Sequence, residues 1–282
     1  MDFARSLWLR IETLHAVTYF GEETQAAGAD LGLSGFWMGY FGFRGAPLGP
    51  VEPGVVDAAF ANFAPSFVRR WVPAVWSAAD PASLIERRSR AAAATLRRVA
   101  PGVDATARAT APFLDTAIAA GVALGRPLFA ANREVPLPAD DVEALWQRCT
   151  TLREHRGDGH VAALAAAGVD GLEAHVLLAL EQGADPLDLQ RTRGWTADDW
   201  ANAVDRLRRR GLVDGAGTLT GAGHELRRSV EHTTDHLASL PWHHLDEMER
   251  TRLVELLTPS AAAVSGAGVL RYPNPIGLPP IE

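Results

Sequence analysis

Lysine is absent from this sequence, since all 27 basic residues are arginine. No residue can therefore form a lysine Schiff base or supply the phosphate-binding lysine of a P-loop. A nucleophile elbow and a dinucleotide-binding fingerprint are missing too. These absences favour a binding protein over an enzyme. A GC-rich genome, which also favours Ala, Gly, Pro and Val, accounts for the missing lysine without a functional cause.

Cysteine is nearly absent, because Cys149 stands alone. A single cysteine cannot make an internal disulfide, and its position after Leu145 and Trp146 in an expected helix predicts burial rather than reactivity. No N-terminal segment has the order of a signal peptide, and no apolar run reaches the roughly 18 residues that a membrane span needs. We therefore expect a cytoplasmic protein without a membrane role.

Basic residues are fewer than acidic residues in this sequence. The 282 residues carry 34 acidic side chains and a net charge of −7. This balance argues against a protein that coats nucleic acid, because such binding relies on neutralising phosphates, but it is compatible with a local basic patch. The content of 47% hydrophobic and 22% charged residues indicates a soluble globular chain of one large or two ordinary domains.

The spacing of apolar residues predicts a mainly α-helical protein. Leu7, Ile11 and Leu14 recur on one side of a helix over residues 3–19. We expect further helices near 22–30, 34–43, 54–63, 66–78, 81–99 and 140–153, with a modest one inside 101–138. We divide the chain into an aromatic-rich helical N-terminal domain (1–133), a winged-helix-like domain (134–258) and an extended tail rich in proline and glycine (259–282).

The segment from Arg193 to Arg228 has residues that begin and end helices at the positions typical of a helix-turn-helix with a wing. Thr196 and Asp199 stand in capping-box register at the start of a helix, and Gly211 can end it. Between them a buried face follows at helical spacing, formed by Trp200, Ala203, Val204 and Leu207. Residues 212–213 and 218–220 flank the turn sequence Asp-Gly-Ala-Gly, which predicts a small β-hairpin.

This segment resembles the MarR-type winged-helix regulators. The end of their recognition helix and their first wing strand correspond to Leu207 and to Gly211-Leu212-Val213. The Leu-Thr-x-x-Gly-x-x-Leu pattern with which their next helix begins corresponds to residues 219–226. The resemblance covers about the last third of the chain. It implies a DNA-binding transcriptional regulator that acts as a homodimer.

The two halves of the chain also resemble each other at a constant offset in the numbering. Residues 25–36 and 161–172 each give a helix, a Gly-apolar-x-Gly turn and a new helix. An internal duplication explains this, and so does chance similarity between alanine-rich segments. The chain further resembles an uncharacterised actinobacterial family with helix-turn-helix-like halves, through the sequences LHAVTYF (14–20), GFWMGYF (35–41) and HRGDGH (155–160). That resemblance implies two helix-turn-helix-like halves and no assigned chemistry.

Three residues are candidates for contact with double-stranded DNA. If the apolar face of the helix after Thr196 points inward, then Asn202, Arg206 and Arg209 lie on the outer side, and both residue types read base edges. Asp198 and Asp205 share that side and would repel phosphates. Between residues 185 and 230, eight arginines stand against seven acids. DNA binding and a purely architectural winged helix therefore both stay open.

A second basic set falls on the expected helix over 81–99. Its members are Arg87, Arg88, Arg90, Arg97 and Arg98. A solvated helical face explains them better than a nucleic-acid contact.

Aromatic residues concentrate towards the N-terminus, where two thirds of them precede Asp80. Ordinary core packing explains such a cluster, and so does a pocket for an aromatic or planar small molecule. The candidate ligand-binding residues, in this cluster and in a glycine-containing loop expected at 155–160, are His15, Tyr19, Glu23, Trp37, Tyr40, Arg44, His155 and His160.

Three groups of residues were considered as metal ligands. The spacing of Glu12 and His15 occurs in carboxylate-bridged helical sites, and the loop with His155 and His160 could hold a metal or perform acid–base chemistry. His232 and His236 stand one helical turn apart without an evident third ligand. We predict no metal site, and the sequence identifies no cofactor.

The leading interpretation is a MarR-like DNA-binding regulator or ligand sensor. The alternative is a small-molecule-, metal- or haem-binding protein, or an enzyme, built on a winged helix that does not bind DNA. A purely structural interaction module is a third interpretation. The sequence names neither effector nor operator nor substrate.

Overall fold

The computed structural model describes residues 3–272, 274 and 277–281. In these residues fourteen α-helices and two short 3-10 helices form the regular structure, which confirms the mainly α prediction. The α-helices are α1 (Phe3–Phe20), α2 (Glu22–Asp30), α3 (Gly35–Gly45), α4 (Pro53–Phe60), α5 (Pro65–Ala78), α6 (Pro81–Val99), α7 (Val103–Ala120), α8 (Pro127–Arg133), α9 (Asp141–Ala166), α10 (Gly171–Gln182), α11 (Pro186–Arg193), α12 (Ala197–Arg209), α13 (Gly221–Ser239) and α14 (Glu247–Gly266). The 3-10 helices are Ala46–Leu48 and Leu240–His244.

Proline and short polar residues set many of the helix starts. Proline opens α4, α6, α8 and α11, where its missing N–H costs no helical hydrogen bond. Asp80 accepts from the backbone N–H of Ser83 at the start of α6. Asp170, Thr196 and Asp246 each form a capping box, with Glu173, Asp199 and Glu249 respectively. The box predicted at Thr196 is therefore confirmed.

Helix α9 corrects one prediction. The sequence predicted a helix to residue 153 and a glycine-containing loop at 155–160, but the helix continues without a break to Ala166. Glycine disfavours a helix interior by only about 1 kcal/mol relative to alanine. Burial of the side chains around Gly157 and Gly159, including His155, Asp158 and Leu164, offsets that cost.

The chain separates into two compact units that are not contiguous in sequence. The first unit comprises residues 1–50, 74–158 and 235–282, and the second comprises 51–73 and 159–234. Leu7, Leu14 and Trp146 belong to the hydrophobic core of the first unit. Val176 and Leu207 belong to the core of the second. The sequence-based division at residues 133 and 258 stays a prediction, because compactness alone does not define a folding domain.

The predicted wing hairpin does not form strands. Among the described residues the only β-type pairing is one isolated antiparallel bridge between Val213 and Leu219. The turn between them is held by its own side chain instead, because the Asp214 carboxylate accepts from the backbone N–H of Thr218 at 2.9 Å and from its hydroxyl at 2.8 Å. Thr220 then accepts from the backbone N–H of Gly223 at the start of α13. The segments on the two sides of the turn are thus too short to form a β-ladder.

The C-terminal segment departs from the expected extended tail at its start. Helix α14 runs through Pro259 to Gly266. The described residues beyond it pack against the first unit, where Leu270 and Leu278 join the core. Ser265 accepts from the backbone N–H of Ile281 at 2.9 Å. Pro273 and Pro275, which also motivated the prediction of a tail, lie outside the described residues.

The turn that recurs in the two halves has the same backbone hydrogen bonds in both copies. The N–H of Leu33 donates to the carbonyl of Gly28 at 2.9 Å, and that of Val169 donates to the carbonyl of Leu164 at 3.0 Å. The glycine that precedes each donor is left-handed, with φ of +75° at Gly32 and +63° at Gly168. Local geometry is therefore shared by the two halves, as the sequence pattern indicates.

Candidate functional site

A pocket of about 300 Å³ opens among α1, α2 and α3 in the first unit. Its apolar wall is formed by Leu33, Phe36, Tyr40 and Phe43. The volume falls at the lower end of the range for small-molecule sites, which are mostly apolar with a few placed polar groups. The aromatic cluster of the sequence thus forms both a core and one wall of a pocket.

Four polar residues are among those that line this pocket. Tyr19, Thr18 and Thr24 line it, together with Gln25. Thr18 and Thr24 are each only 5% exposed. Their hydroxyl oxygens have no hydrogen-bond partner among the described residues. Buried polar groups are almost always paired, so two such oxygens among the lining residues make this pocket a candidate binding site.

His15 and Tyr19 form a hydrogen-bonded pair behind the pocket. The hydroxyl of Thr150 donates to the carbonyl of Trp146 at 2.9 Å, so it accepts from Nδ1 of His15 at 2.9 Å. The Nε2 atom is then the acceptor, and the Tyr19 hydroxyl donates to it at 2.8 Å. Burial and the charge of Arg153 lower the pKa of His15 well below its usual value. The ring is therefore neutral, and the oxygen of Tyr19 is left free to accept a further hydrogen bond.

A buried charge network lies next to that pair. Arg44 binds Glu154 through two hydrogen bonds of 2.9 and 3.0 Å, and Arg153 binds the same carboxylate at 2.8 Å. Arg153 also reaches Glu12 at 3.2 Å, while Arg44 donates to the Tyr40 hydroxyl at 2.9 Å. Despite its burial, the pKa of Glu154 is held at about 2 by Arg153 and Arg44. Two guanidinium groups and two carboxylates cancel in charge.

Arg88 is buried rather than solvated, which corrects the sequence-based interpretation of the basic face on α6. It is 1% exposed and donates to three neutral oxygens: the Phe43 carbonyl at 2.6 Å, Asn132 at 2.9 Å and Gln147 at 3.0 Å. Burial lowers its pKa to about 10. It lines a separate cavity of about 10 Å³, room for one water-sized molecule, which adjoins the pocket. The other four arginines of that face are paired with carboxylates.

Two further candidate ligand residues, Trp37 and Glu23, are not among the residues that line the pocket. Trp37 packs edge-on against Phe36 and Tyr40, at centroid distances of 4.8 and 5.6 Å. The carboxylate of Glu23 binds Arg98 at 2.6 Å and accepts from Thr95 at 2.8 Å, and the Arg98 contact helps lower its pKa to about 2. These contacts make Trp37 a support of the pocket wall and Glu23 a surface ion pair.

His155 and His160 do not form a shared site. They are five positions apart on α9, which places their side chains about 140° apart around the helix. His155 lies edge-on to Phe129 at 4.8 Å, and burial lowers its pKa to about 3. His160 belongs to the second unit, where its Nδ1 lies 3.0 Å from the Thr234 hydroxyl. The continuous helix removes the loop on which the paired site depended.

In the second unit, α10, α11 and α12 follow one another through short connections. Leu172 and Val176 of α10 share a core with Ala203 and Leu207 of α12. Segment 51–73 belongs to the same unit, and its Asn62 carbonyl accepts from His175 at 3.1 Å and from Trp195 at 3.3 Å. These helices hold α12 with its polar side exposed.

Comparison with known proteins identifies the family. A helix-turn-helix family matches residues 4–271. The chain belongs to this helix-turn-helix family. No curated protein and no solved structure matches the sequence. The family match covers nearly the whole chain and does not single out the MarR-type regulators.

The exposed side of α12 in this helix-turn-helix protein carries two of the three candidate DNA contacts. Asn202 and Arg209 are exposed, and Arg209 makes no ion pair with any described residue. Arg206 is engaged elsewhere, because it binds Asp170 at 2.7 Å and Glu173 at 2.9 Å. The structure therefore gives Arg206 a role in joining α12 to α10.

Metal centres and membrane spans each leave a recognisable pattern of side chains. In the part of the chain that the structure describes, no group of three or more His, Cys, Asp or Glu residues is placed to hold a metal ion. No single described helix is long and apolar enough to cross a membrane. Helices α9 and α10 meet the length and composition of a span only as a pair, and they are bent by 96° at the break between them.

Sequence reasoning missed several residues of the pocket and the charge network. The sequence did not mark Thr18, Thr24, Thr150 or Arg153 as candidate binding residues. A signal was present for some of them: Arg153, Glu154 and His155 are consecutive polar residues in a helix whose other residues include Leu145, Trp146 and Leu152. Such a polar run in an otherwise buried helix indicates a paired internal network.

Proposed function

We propose that this chain is a MarR-like, ligand-responsive, DNA-binding transcriptional regulator. The observation that carries the proposal is the exposed side of α12, where Asn202 and Arg209 project from a capped helix packed against α10. Membership of a helix-turn-helix family supports the same function. The pocket of the first unit would receive the effector.

Asn202 and Arg209 are the residues that we expect to contact base edges in the major groove. An asparagine amide pairs with adenine and an arginine guanidinium with guanine, each through two hydrogen bonds. Arg206 would have to release Asp170 and Glu173 before it could contact DNA. The turn at residues 213–219 would act as a reduced wing against the DNA backbone.

In the effector site, Tyr19 and Tyr40 are proposed to contact the ligand. His15 and Arg44 would act through them, because each holds one tyrosine hydroxyl in place. Trp37 would support the wall. Glu23, His155 and His160 remain candidate ligand residues of the proposal, although their observed contacts lie elsewhere.

We further propose that the regulator is a homodimer, because a helix-turn-helix dimer matches the two half-sites of a palindromic operator. Size-exclusion chromatography with light scattering measures this directly. A mass twice that of the 30.2 kDa chain is expected. A monomer at all concentrations used for DNA binding would contradict the dimer.

A DNA-binding selection tests the main proposal. Purified protein is incubated with genomic fragments from its source at fixed salt, and the retained fragments are sequenced. Wild-type protein should enrich a small set of fragments, and the double variant N202A/R209A should lose that enrichment. Arg252→Ala is the matched control, since Arg252 is exposed on α14 outside the helix-turn-helix. Equal enrichment by wild type and N202A/R209A would contradict the assigned contacts.

A second function is favoured by the charge pattern of α12. Arg208 pairs with Asp205 at 3.2 Å, and Arg210 pairs with Glu173 at 3.1 Å. Few guanidinium groups are left to bind phosphates, as expected of a small-molecule-binding protein whose helix-turn-helix is architectural. Ligand binding with no fragment enriched by the wild-type protein would select this alternative.

A further inference from the structure

The pocket holds two hydroxyl groups that the protein itself leaves unpaired. Thr18 comes from α1 and Thr24 from α2, both residues line the pocket, and both hydroxyl oxygens are buried. A buried hydroxyl without a partner destabilises a fold, and valine has nearly the same shape. These positions therefore keep a polar atom that packing does not need. A ligand that bonds to both hydroxyls accounts for them.

Gly39 gives this pocket part of its space. It lies inside α3, where glycine is less stable than alanine, and it lines the pocket. A Cβ atom added there would meet no atom within 4 Å. The glycine is thus not required by a close contact of the protein, and a larger side chain would extend into the pocket.

The lining of the pocket carries no charged side chain. Arg44 and Glu154, which line the adjoining small cavity, bind each other. Arg88 lines the adjoining small cavity and not this pocket, and its two Nη atoms donate to protein oxygens. A charged ligand would lose its hydration in this pocket without gaining an ion pair. The flat faces of Phe36, Tyr40 and Phe43 suit a planar ring.

We infer that the pocket binds an uncharged, planar aromatic molecule whose hydroxyl or equivalent group hydrogen-bonds with Thr18 and Thr24. This inference rests on the proposed function, in which the pocket is the effector site. It adds the chemical class of the effector and the two residues that recognise its polar group.

Three matched probes test the class by isothermal titration of the full-length protein near neutral pH, without DNA. They are 2-naphthol, naphthalene and 2-naphthoate, which share one ring system and differ in polar group and charge. We expect 2-naphthol to bind with one site per chain, naphthalene to bind more weakly and 2-naphthoate to bind most weakly. Tighter binding of 2-naphthoate than of 2-naphthol, or no binding of any probe, would overturn the inference.

Substitutions test the site itself. Thr18→Val and Thr24→Val should each weaken 2-naphthol about threefold to tenfold and leave naphthalene unchanged, because only one hydrogen bond is lost. Thr110→Val is the control, since Thr110 is equally buried and its hydroxyl donates to the Thr106 carbonyl of its own helix. Gly39→Leu should abolish binding of both probes without lowering the melting temperature.

The two failures are separable. Unchanged 2-naphthol affinity in both threonine variants and in Gly39→Leu would overturn this site, whatever the DNA selection shows. If the three probes bind in the expected order but the wild-type protein enriches no DNA fragment, only the regulatory function is overturned. Circular dichroism spectra of each variant ensure that a loss of binding is not a loss of folding.

Discussion

At the scale of single residues, the charge network of the first unit depends on Glu154. Its carboxylate is 1% exposed and binds both Arg44 and Arg153. The sequence shows that arginines and glutamates are present, but which of them meet inside the protein is decided by helices that are distant in the sequence, such as α3 and α9 in the contact of Arg44 with Glu154. Buried pairs of this kind lose most when one partner is removed.

Glu154→Gln should lower the free energy of unfolding by about 3 kcal/mol at neutral pH, because it leaves two guanidinium groups facing one remaining carboxylate. Urea titration measures the change. The exposed pair of Glu86 and Arg90 supplies the control, and Glu86→Gln should cost less than about 1 kcal/mol. The pKa of Glu154 is lowered from 4.5 to about 2, so its contribution is complete above pH 4.5. It should disappear as the pH falls towards 2, and an equal cost of Glu154→Gln at pH 2 and pH 7 would contradict the network.

Asp158 should give the opposite pH dependence. It is 2% exposed, and burial together with the charge of Glu154 raises its pKa from 3.8 to about 7. The folded protein therefore keeps a proton that the unfolded chain releases, and stability decreases as the pH rises from about 4 to about 7. Asp158→Asn, whose amide oxygen can still accept from the Phe129 N–H, should remove that decrease. Melting temperatures between pH 4 and pH 8 measure it, and the exposed Asp198→Asn should follow the wild-type curve.

At the scale of elements, the sequence predicted helix positions well where local chemistry decides them. The starts at Pro81 and Thr196 follow from proline and from a capping box. It misjudged α9, because Gly157 and Gly159 are typical of loops while the burial that holds them in a helix is tertiary. It also predicted strands after Gly211, whereas the Asp214 side chain holds the turn.

The junction between the turn and α13 depends on Gly223. A Cβ atom there would lie 2.3 Å from the backbone carbonyl oxygen of Leu212, which cannot move aside as a side chain could. Gly223→Ala should therefore destabilise the protein by about 1–3 kcal/mol. Gly221→Ala, two positions earlier in the same helix start, meets no atom within 4 Å and should be neutral or slightly stabilising. Thermal unfolding of both variants measures the difference, and equal melting temperatures would show that the close approach is not required.

At the scale of the whole molecule, the sequence could predict helical content and a helix-turn-helix but not the grouping of its segments. Segment 51–73 belongs to the second unit, although segment 74–158 of the first unit separates it in the chain from segment 159–234. No local pattern reports such a grouping, because it depends on contacts such as that of His175 with the Asn62 carbonyl. The pocket was foreseen as an aromatic cluster, while its two unpaired hydroxyls depend on how α1 and α2 pack.

The most direct test of the regulatory function is the affinity of one selected duplex for wild-type protein and for Asn202→Ala, measured by fluorescence anisotropy at one fixed salt concentration. The loss of a base contact should weaken binding by about 1–3 kcal/mol, which is roughly fivefold to 150-fold. Arg252→Ala should bind as the wild type does. A wild-type protein that retains no duplex above the level of random sequence, or an Asn202→Ala variant that binds equally well, would contradict the account.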